Sequence, residues 1–183
     1  LYFLNYVLFH RTNDEEIKPC RTYFWKKIKD KVQGKAMVEA ALEINHWCAG
    51  EVMYQGTDMR TGSALEIYRS GVGRCGEEAV FVVNVMRSAG IPARPVYVPR
   101  WSHCDDNHAW VEVWCDGDWH YLGACEPEAV LDKGWFTNAA SRAMMIGSRW
   151  YDRAMPDEKV IGKDGMNRII NLLGKYAKTR WIT

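Results

Sequence analysis

The chain has 183 residues, 48% of them apolar and 26% charged, with a formal net charge of +1. That length suffices for one domain, residues 1–183, with its own core and no metal or disulfide support, and the near-neutral balance gives no ground for a nucleic-acid partner. No apolar run approaches the roughly 18 residues that a membrane helix needs, and residues 1–9 lack the basic flank and small-residue cleavage site of a signal peptide. With no initiator methionine, the chain reads as a domain excised from a longer protein with neighbouring domains.

The first periodic segment, 22–32, sets Phe24, Trp25, Ile28 and Val32 on one side among lysines, and Gly34 breaks it. Residues 35–49 form the clearest amphipathic helix: Met37, Ala40, Ala41, Ile44, Trp47 and Cys48 follow helical spacing, and Gly50 closes it. A polar loop with Gly56, Asp58, Arg60, Thr61 and Gly62 follows. The run 75–89 is apolar on nearly every side, through Val80, Phe81, Val82, Val83, Val85 and Met86, and predicts a helix at the middle of the domain. Gly90 and Pro92 end it and lead into an extended stretch near 93–98.

Residues 107–115 and 118–124 predict a β-hairpin around Asp116-Gly117, a favoured two-residue turn. The turn sets the register: Cys115 opposes Asp118, Trp114 opposes Trp119, and by continuation Trp110 opposes Gly123 and His108 opposes Cys125. One face then carries His108, Trp110, Glu112, Trp114, Trp119, Tyr121, Gly123 and Cys125, while Cys115 lies on the other, which disfavours a Cys115–Cys125 disulfide. Beyond Pro127 the pattern weakens; 138–146 is expected to be helical, and the basic stretch from Lys159 to Arg180 suits docking against neighbouring domains.

Chemistry concentrates at Cys75, where the glycine-punctuated Ser70-Gly71-Val72-Gly73-Arg74 gives way to the central helix. A sulfur there sits near unpaired N–H groups and the positive end of the helix dipole, which favour thiolate. His108 opens the strand-like His108-Ala109-Trp110-Val111-Glu112-Val113-Trp114. Thiolate and imidazolium together supply the nucleophile, base and acid that acyl transfer from an amide requires. The chain has six cysteines and no C-x-x-C. With Cys75 free, five remain, an odd number that argues against a disulfide framework and for a reducing compartment.

Gly73-Arg74-Cys75-Gly76-Glu77, then Ala89-Gly90-Ile91-Pro92-Ala93-Arg94, then His108-Ala109-Trp110-Val111-Glu112-Val113 resemble, in that order, the core of the transglutaminase-like superfamily. Arg74-Cys75-Gly76-Glu77 and the segment from Trp119 through Gly123-Ala124-Cys125-Glu126 are similar to peptide N-glycanases, and the whole resembles bacterial transglutaminase-like domains. The strong match covers roughly residues 71 to 127. The resemblance implies a papain-like α+β fold, with the nucleophile at the start of a central helix and the histidine on a neighbouring antiparallel sheet. The family usually adds an aspartate four residues past a tryptophan on the next strand; that position here is Gly123. Glu126 is the favoured substitute, with Asp105, Asp106 and Glu112 as alternatives. Cys125, opposite His108 in the extended register, would be placed to form a silencing disulfide with Cys75, although a small filler is the commoner use of such a residue.

An oxyanion needs two donors: the Cys75 N–H is one, and Trp47, Asn45 or Gln55 could provide the other. Trp101, Trp110, Trp114, Trp119 and Trp135 could line a sugar or peptide cleft, with Trp101 and Trp110, nearest His108, favoured. Gly71-x-Gly73-x-x-Gly76 fits a dinucleotide fingerprint, but an antiparallel hairpin follows where a parallel unit should. His103, Cys104, Asp105, Asp106, His108 and His120 match no standard metal spacing. The sequence thus predicts cysteine-dependent acyl transfer without metal or organic cofactor, on a peptide, protein or glycopeptide amide. Hydrolysis is favoured; protein crosslinking by transamidation and a non-catalytic binding domain are the alternatives.

Overall fold

The computed structural model describes residues 3–58, 60–152, 156–164 and 167–177. After a single wide helical turn at Leu4–Leu8, helices α1 (Arg21–Val32) and α2 (Met37–Glu51) follow the two predicted amphipathic segments. Their apolar stripes, Phe24 and Ile28 on α1 and Ala41, Ile44 and Cys48 on α2, are buried in one core.

The loop predicted after Gly50 contains more structure than expected. Strand β1 (Met53–Tyr54) pairs in parallel with β2 (Val72–Gly73), and helix α3 (Ala64–Ser70) lies between them. A sequence signal for α3 was present: Ser63 and Glu66 form a capping box, in which the Glu66 carboxylate accepts from Ser63 N–H at 2.9 Å. Gly71 ends the helix at φ +71°, a conformation that glycine adopts without steric penalty.

Helix α4 (Cys75–Ser88) is the centre of the fold. Val80, Phe81, Val82, Val83, Val85 and Met86 are all fully buried, because α1, α2 and α3 surround its outer side and the sheet covers the other. Each such side chain contributes about 1.5–3 kcal/mol by burial. Six antiparallel strands then form one sheet in the order β5-β4-β3-β6-β8-β7. They are β3 (Ala93–Val98), β4 (His108–Cys115), β5 (Asp118–Leu122), β6 (Gly147–Trp150), β7 (Val160–Asp164) and β8 (Asn167–Asn171). Odd-numbered residues of β4, Val111, Val113 and Cys115, face the helices. Even-numbered Trp110 and Trp114, with Trp119 and Tyr121, belong to a second core on the opposite face. The α+β class and the two faces of the hairpin are as expected.

Two expectations fail here. The hairpin register holds from Cys115↔Asp118 to Val111↔Leu122 and then stops. Gly123 instead bridges Glu126 across a reversal in which Cys125 takes φ +56°. Cys125 therefore packs with the helical core and does not oppose His108, which removes the basis for a Cys75–Cys125 latch; all six cysteines are free thiols. The helix expected over 138–146 shrinks to α5 (Thr137–Ala140), after which the chain turns and runs into β6. The last helix, α6 (Leu173–Tyr176), closes the described part; Lys178 to Arg180 of the basic stretch lie outside the described residues. Among the described residues no helix is long and apolar enough to cross a membrane.

Candidate active site

The α4 N-terminus is built by Glu77, whose carboxylate accepts from Arg74 N–H at 3.2 Å and from Gly62 N–H at 3.2 Å, and takes the Thr57 hydroxyl as well. This ties the loop after β1 to the first turn of the helix. Arg74 adds to the tie, donating to the carbonyls of Asp58 and Arg60 and to Thr61 Oγ1. Cys75 is thereby fixed beside the first residues of β4. The backbone N–H groups of Ala109 and Gly76 favour its thiolate form. Cys75, Gly76, His108 and Ala109 line a cavity of about 410 Å³, which Thr12, Asp14 and Arg149 also border. A cavity of that size is typical of a ligand site.

The expectation of a preformed thiolate is not met. Burial raises the Cys75 thiol above its ordinary value, outweighing the two N–H donors and Arg74. Burial likewise pulls the His108 imidazole down to about 4, against the opposing charge of Asp106. Burial thus opposes both charged forms, the thiolate and the imidazolium.

His108 sits among aromatic rings: Trp135 at 4.6 Å, Phe136 at 5.0 Å, Trp110 at 6.0 Å and Trp101 at 6.3 Å between centroids. Its Nε2 lies 3.9 Å from Glu126 Oε2, and neither buried atom has a hydrogen-bond partner among the described residues. The carboxylate gets there because position 123 is glycine. A Cβ on Gly123 would come within 2.4 Å of Glu126 Oε2 and 2.8 Å of its Cβ. Glu126 thus fills, from the far side of a turn, the space that a side chain at 123 would take.

The other expected residues divide. Gln55 extends the pairing of β1 with β2, its backbone N–H donating to Gly73 O at 2.9 Å two residues before Cys75; its side chain is exposed and does not line the cavity. Trp47 does not reach the site: its ring packs with Tyr68 and Phe81 in the helical core. Asn45 donates to the Gly123 carbonyl and accepts from the Cys125 N–H, is buried on α2, and does not line the cavity. Trp110 is fully buried, stacked on Phe136, and Trp101 is almost as enclosed; both wall the imidazole and present no face to a substrate. Of the alternatives to Glu126, Glu112 is committed to Arg94 and the Tyr176 hydroxyl, and Asp105 is paired with Arg100 at the surface. His120 is engaged by Asp132.

Sequence reasoning passed over Glu78 and named Trp135 only as one of five tryptophans that could line a cleft. Trp135 is 63% exposed, yet its indole N–H donates to Glu126 Oε1 at 3.0 Å. Glu78, one helical turn beyond Cys75, is a buried carboxyl pushed up to about 8, first by burial and then by the charge of Glu126. Its value when folded exceeds the ordinary carboxylate value, so the native state binds the extra proton. Stability falls as pH rises from about 4.5 to 8. Glu78→Gln is expected to flatten that decline, and to exceed the wild type at pH 8 by on the order of 2–4 kcal/mol relative to pH 5. Denaturant titrations at the two pH values would show it, and equal slopes for both proteins would refute it.

The family model for the transglutaminase-like superfamily matches residues 26–124. Comparison with curated proteins finds no match. Among solved structures, a candidate protease from Parabacteroides distasonis superposes with a TM-score of 0.51 at 17% identity, over 70% of this chain and 25% of its own. A candidate cysteine protease from Cytophaga hutchinsonii gives 0.48 at 18% identity, over 83% and 57%. LapG of Legionella pneumophila gives 0.48 at 17% identity, over 61% and 66%. The chain therefore spans between a quarter and two thirds of these proteins, and the likeness to the first is one of fold.

Proposed function

Because the chain belongs to the transglutaminase-like superfamily, we propose that it is a cysteine-dependent amide hydrolase, with Cys75 as nucleophile, His108 as base and then acid, and Glu126 as the group that orients the imidazole. The supporting observation is that Cys75 and His108 line one cavity, the cysteine at the start of α4 and the histidine at the start of β4. With Nε2 turned to Glu126, Nδ1 is the ring nitrogen left for the thiol.

In the first step Nδ1 takes the Cys75 proton as sulfur bonds to the amide carbonyl carbon. The carbonyl oxygen becomes an oxyanion, held by the Cys75 N–H and the Gln55 side-chain amide. His108 returns the proton to the departing amine, the C–N bond breaks, and a thioester remains. Water then gives a proton to His108 and attacks the thioester. The acid leaves and the thiol is restored. An amine in place of water would give transamidation. The substrate is a peptide, protein or glycopeptide amide, in keeping with a cavity open to solvent.

Incubation with peptides, glutamine donors and glycopeptides, read by mass spectrometry, separates the outcomes. Conversion of an amide to an acid supports hydrolysis; incorporation of an added amine would replace it with transamidation. The carboxylate has its own test. Glu126→Ala is expected to lower kcat by about 100-fold, less than the loss seen when a triad carboxylate is changed in other enzymes. Pairing Gly123→Asp with Glu126→Gly, which also removes the Cβ that would stand 2.8 Å from a new one at 123, supplies a carboxylate in the vacated space and should recover part of the loss. An unaffected Glu126→Ala protein would remove the residue from the mechanism.

A further inference from the structure

Glu126 lies outside the stretch shared with the family, two residues past its end at Ala124. It is also carried by a tight reversal where a strand would be stiffer. Something must hold it. Asn45, buried on α2, donates to the Gly123 carbonyl at 2.9 Å and accepts from the Cys125 N–H at 3.0 Å. These two bonds span the residues that turn the chain, including the one in the left-handed region. A buried side chain bonded at both ends to one turn fixes that turn's position. At the other end of the glutamate, Trp135 holds Oε1 by its indole N–H, leaving Oε2 directed at His108 Nε2. The Trp135 ring meanwhile lies against the imidazole.

We infer that Asn45 and Trp135 are positioning residues that fix the Glu126 carboxylate against His108, so that a turn held from two sides does the work of a strand-borne acid. The inference rests on the assignment of Glu126 to His108. Asn45 sets where the turn lies, and Trp135 sets how the carboxylate is rotated. Neither gives or takes a proton in the reaction, although the Trp135 ring lies against the imidazole. Their action is read through the histidine: a carboxylate held at Nε2 keeps the proton there and leaves Nδ1 unprotonated to receive the thiol proton.

The tautomer of His108 is the measurement. Long-range proton–nitrogen NMR of histidine-labelled protein at pH 7, with His108→Ala used for assignment, should show His108 protonated at Nε2 in the wild type. Trp135→Phe keeps an aromatic ring beside the imidazole, though a smaller one, and removes the N–H. It should give a mixture of tautomers, and lower the alkylation rate of Cys75 at neutral pH about 10-fold. Asn45→Ala should do the same. If Asn45→Ala does not fold, the solvent-exposed Trp135→Phe decides the matter alone. A wild type protonated at Nδ1 would overturn the assignment of Glu126 and this inference with it. An Nε2 tautomer unchanged in Trp135→Phe would overturn the inference and leave the assignment standing.

Discussion

Against any amide that the wild-type chain turns over, Cys75→Ala is expected to leave no turnover above background, and His108→Ala to lose on the order of 10⁴-fold or more. In the proposed mechanism the two side chains act as one unit. Without sulfur no thioester forms. Without imidazole the thiol, which burial has already made harder to ionise, has no acceptor for its proton, and the departing amine has no donor. The double variant should therefore be no slower than the worse of the two single ones. Measurements of kcat for the three proteins check this, and additive losses in the double variant would show that the residues act separately.

Arg94→Met is expected to cost about 3–5 kcal/mol of folding stability. Arg94 is 1% exposed and lies at the centre of the second core. It donates to Glu112 at 2.7 Å, to Glu158 at 2.6 Å and to the Tyr6 hydroxyl at 3.2 Å, and its guanidinium lies over the Trp119 ring at 4.1 Å. Tyr176 completes the network, donating to Glu112 Oε1 and accepting from the Trp110 indole. Methionine would fill much of the volume but leave the Glu112 carboxylate buried beside an apolar chain. That uncompensated charge, more than the lost bonds, sets the cost. Arg94→Met/Glu112→Met removes both charges and should be less destabilised than Arg94→Met alone. Denaturant midpoints for the three proteins test the point; a double variant worse than the single would mean that packing, and not the stranded charge, governs the site.

The central helix and the hairpin were legible because each rests on a short-range rule. A helix apolar on nearly every side has only one place in a domain of this size, and Asp116-Gly117 sets the register of β4 and β5 by turn geometry. Cys75 and His108 were legible for the same reason, as residues at the ends of readable elements. What escaped depends on contacts distant in sequence. The reversal at Gly123–Glu126 needs a non-glycine residue at positive φ, held by an asparagine 80 positions away from Cys125. No local pattern announces that. Trp135 gains its role only through the fold, and Trp110 loses its expected one because the second core encloses it completely. Strands β6, β7 and β8 lack a clean alternation, since Gly147, Arg149, Gly162 and Lys163 interrupt their apolar residues. Helix α3 was the one element whose signal, Ser63 with Glu66, was local and went unread.

The Cys75–His108 assignment also corrects the simplest account of its own reactivity. A helix start favours a thiolate, but removal from water opposes it, and here burial wins for both partners. In the proposed mechanism reactivity comes from proton transfer within the pair, a process independent of pH between the two ionisations. The rate of Cys75 alkylation by iodoacetamide from pH 4 to 10, in the wild type and in His108→Ala, measures this directly. The wild type should show a plateau across neutral pH, and His108→Ala should lack it, reacting only as its thiol ionises at alkaline pH. Superimposable profiles that both rise as an ordinary thiol does, near pKa ~8.5, would contradict the assignment of Cys75 and His108 as a catalytic pair.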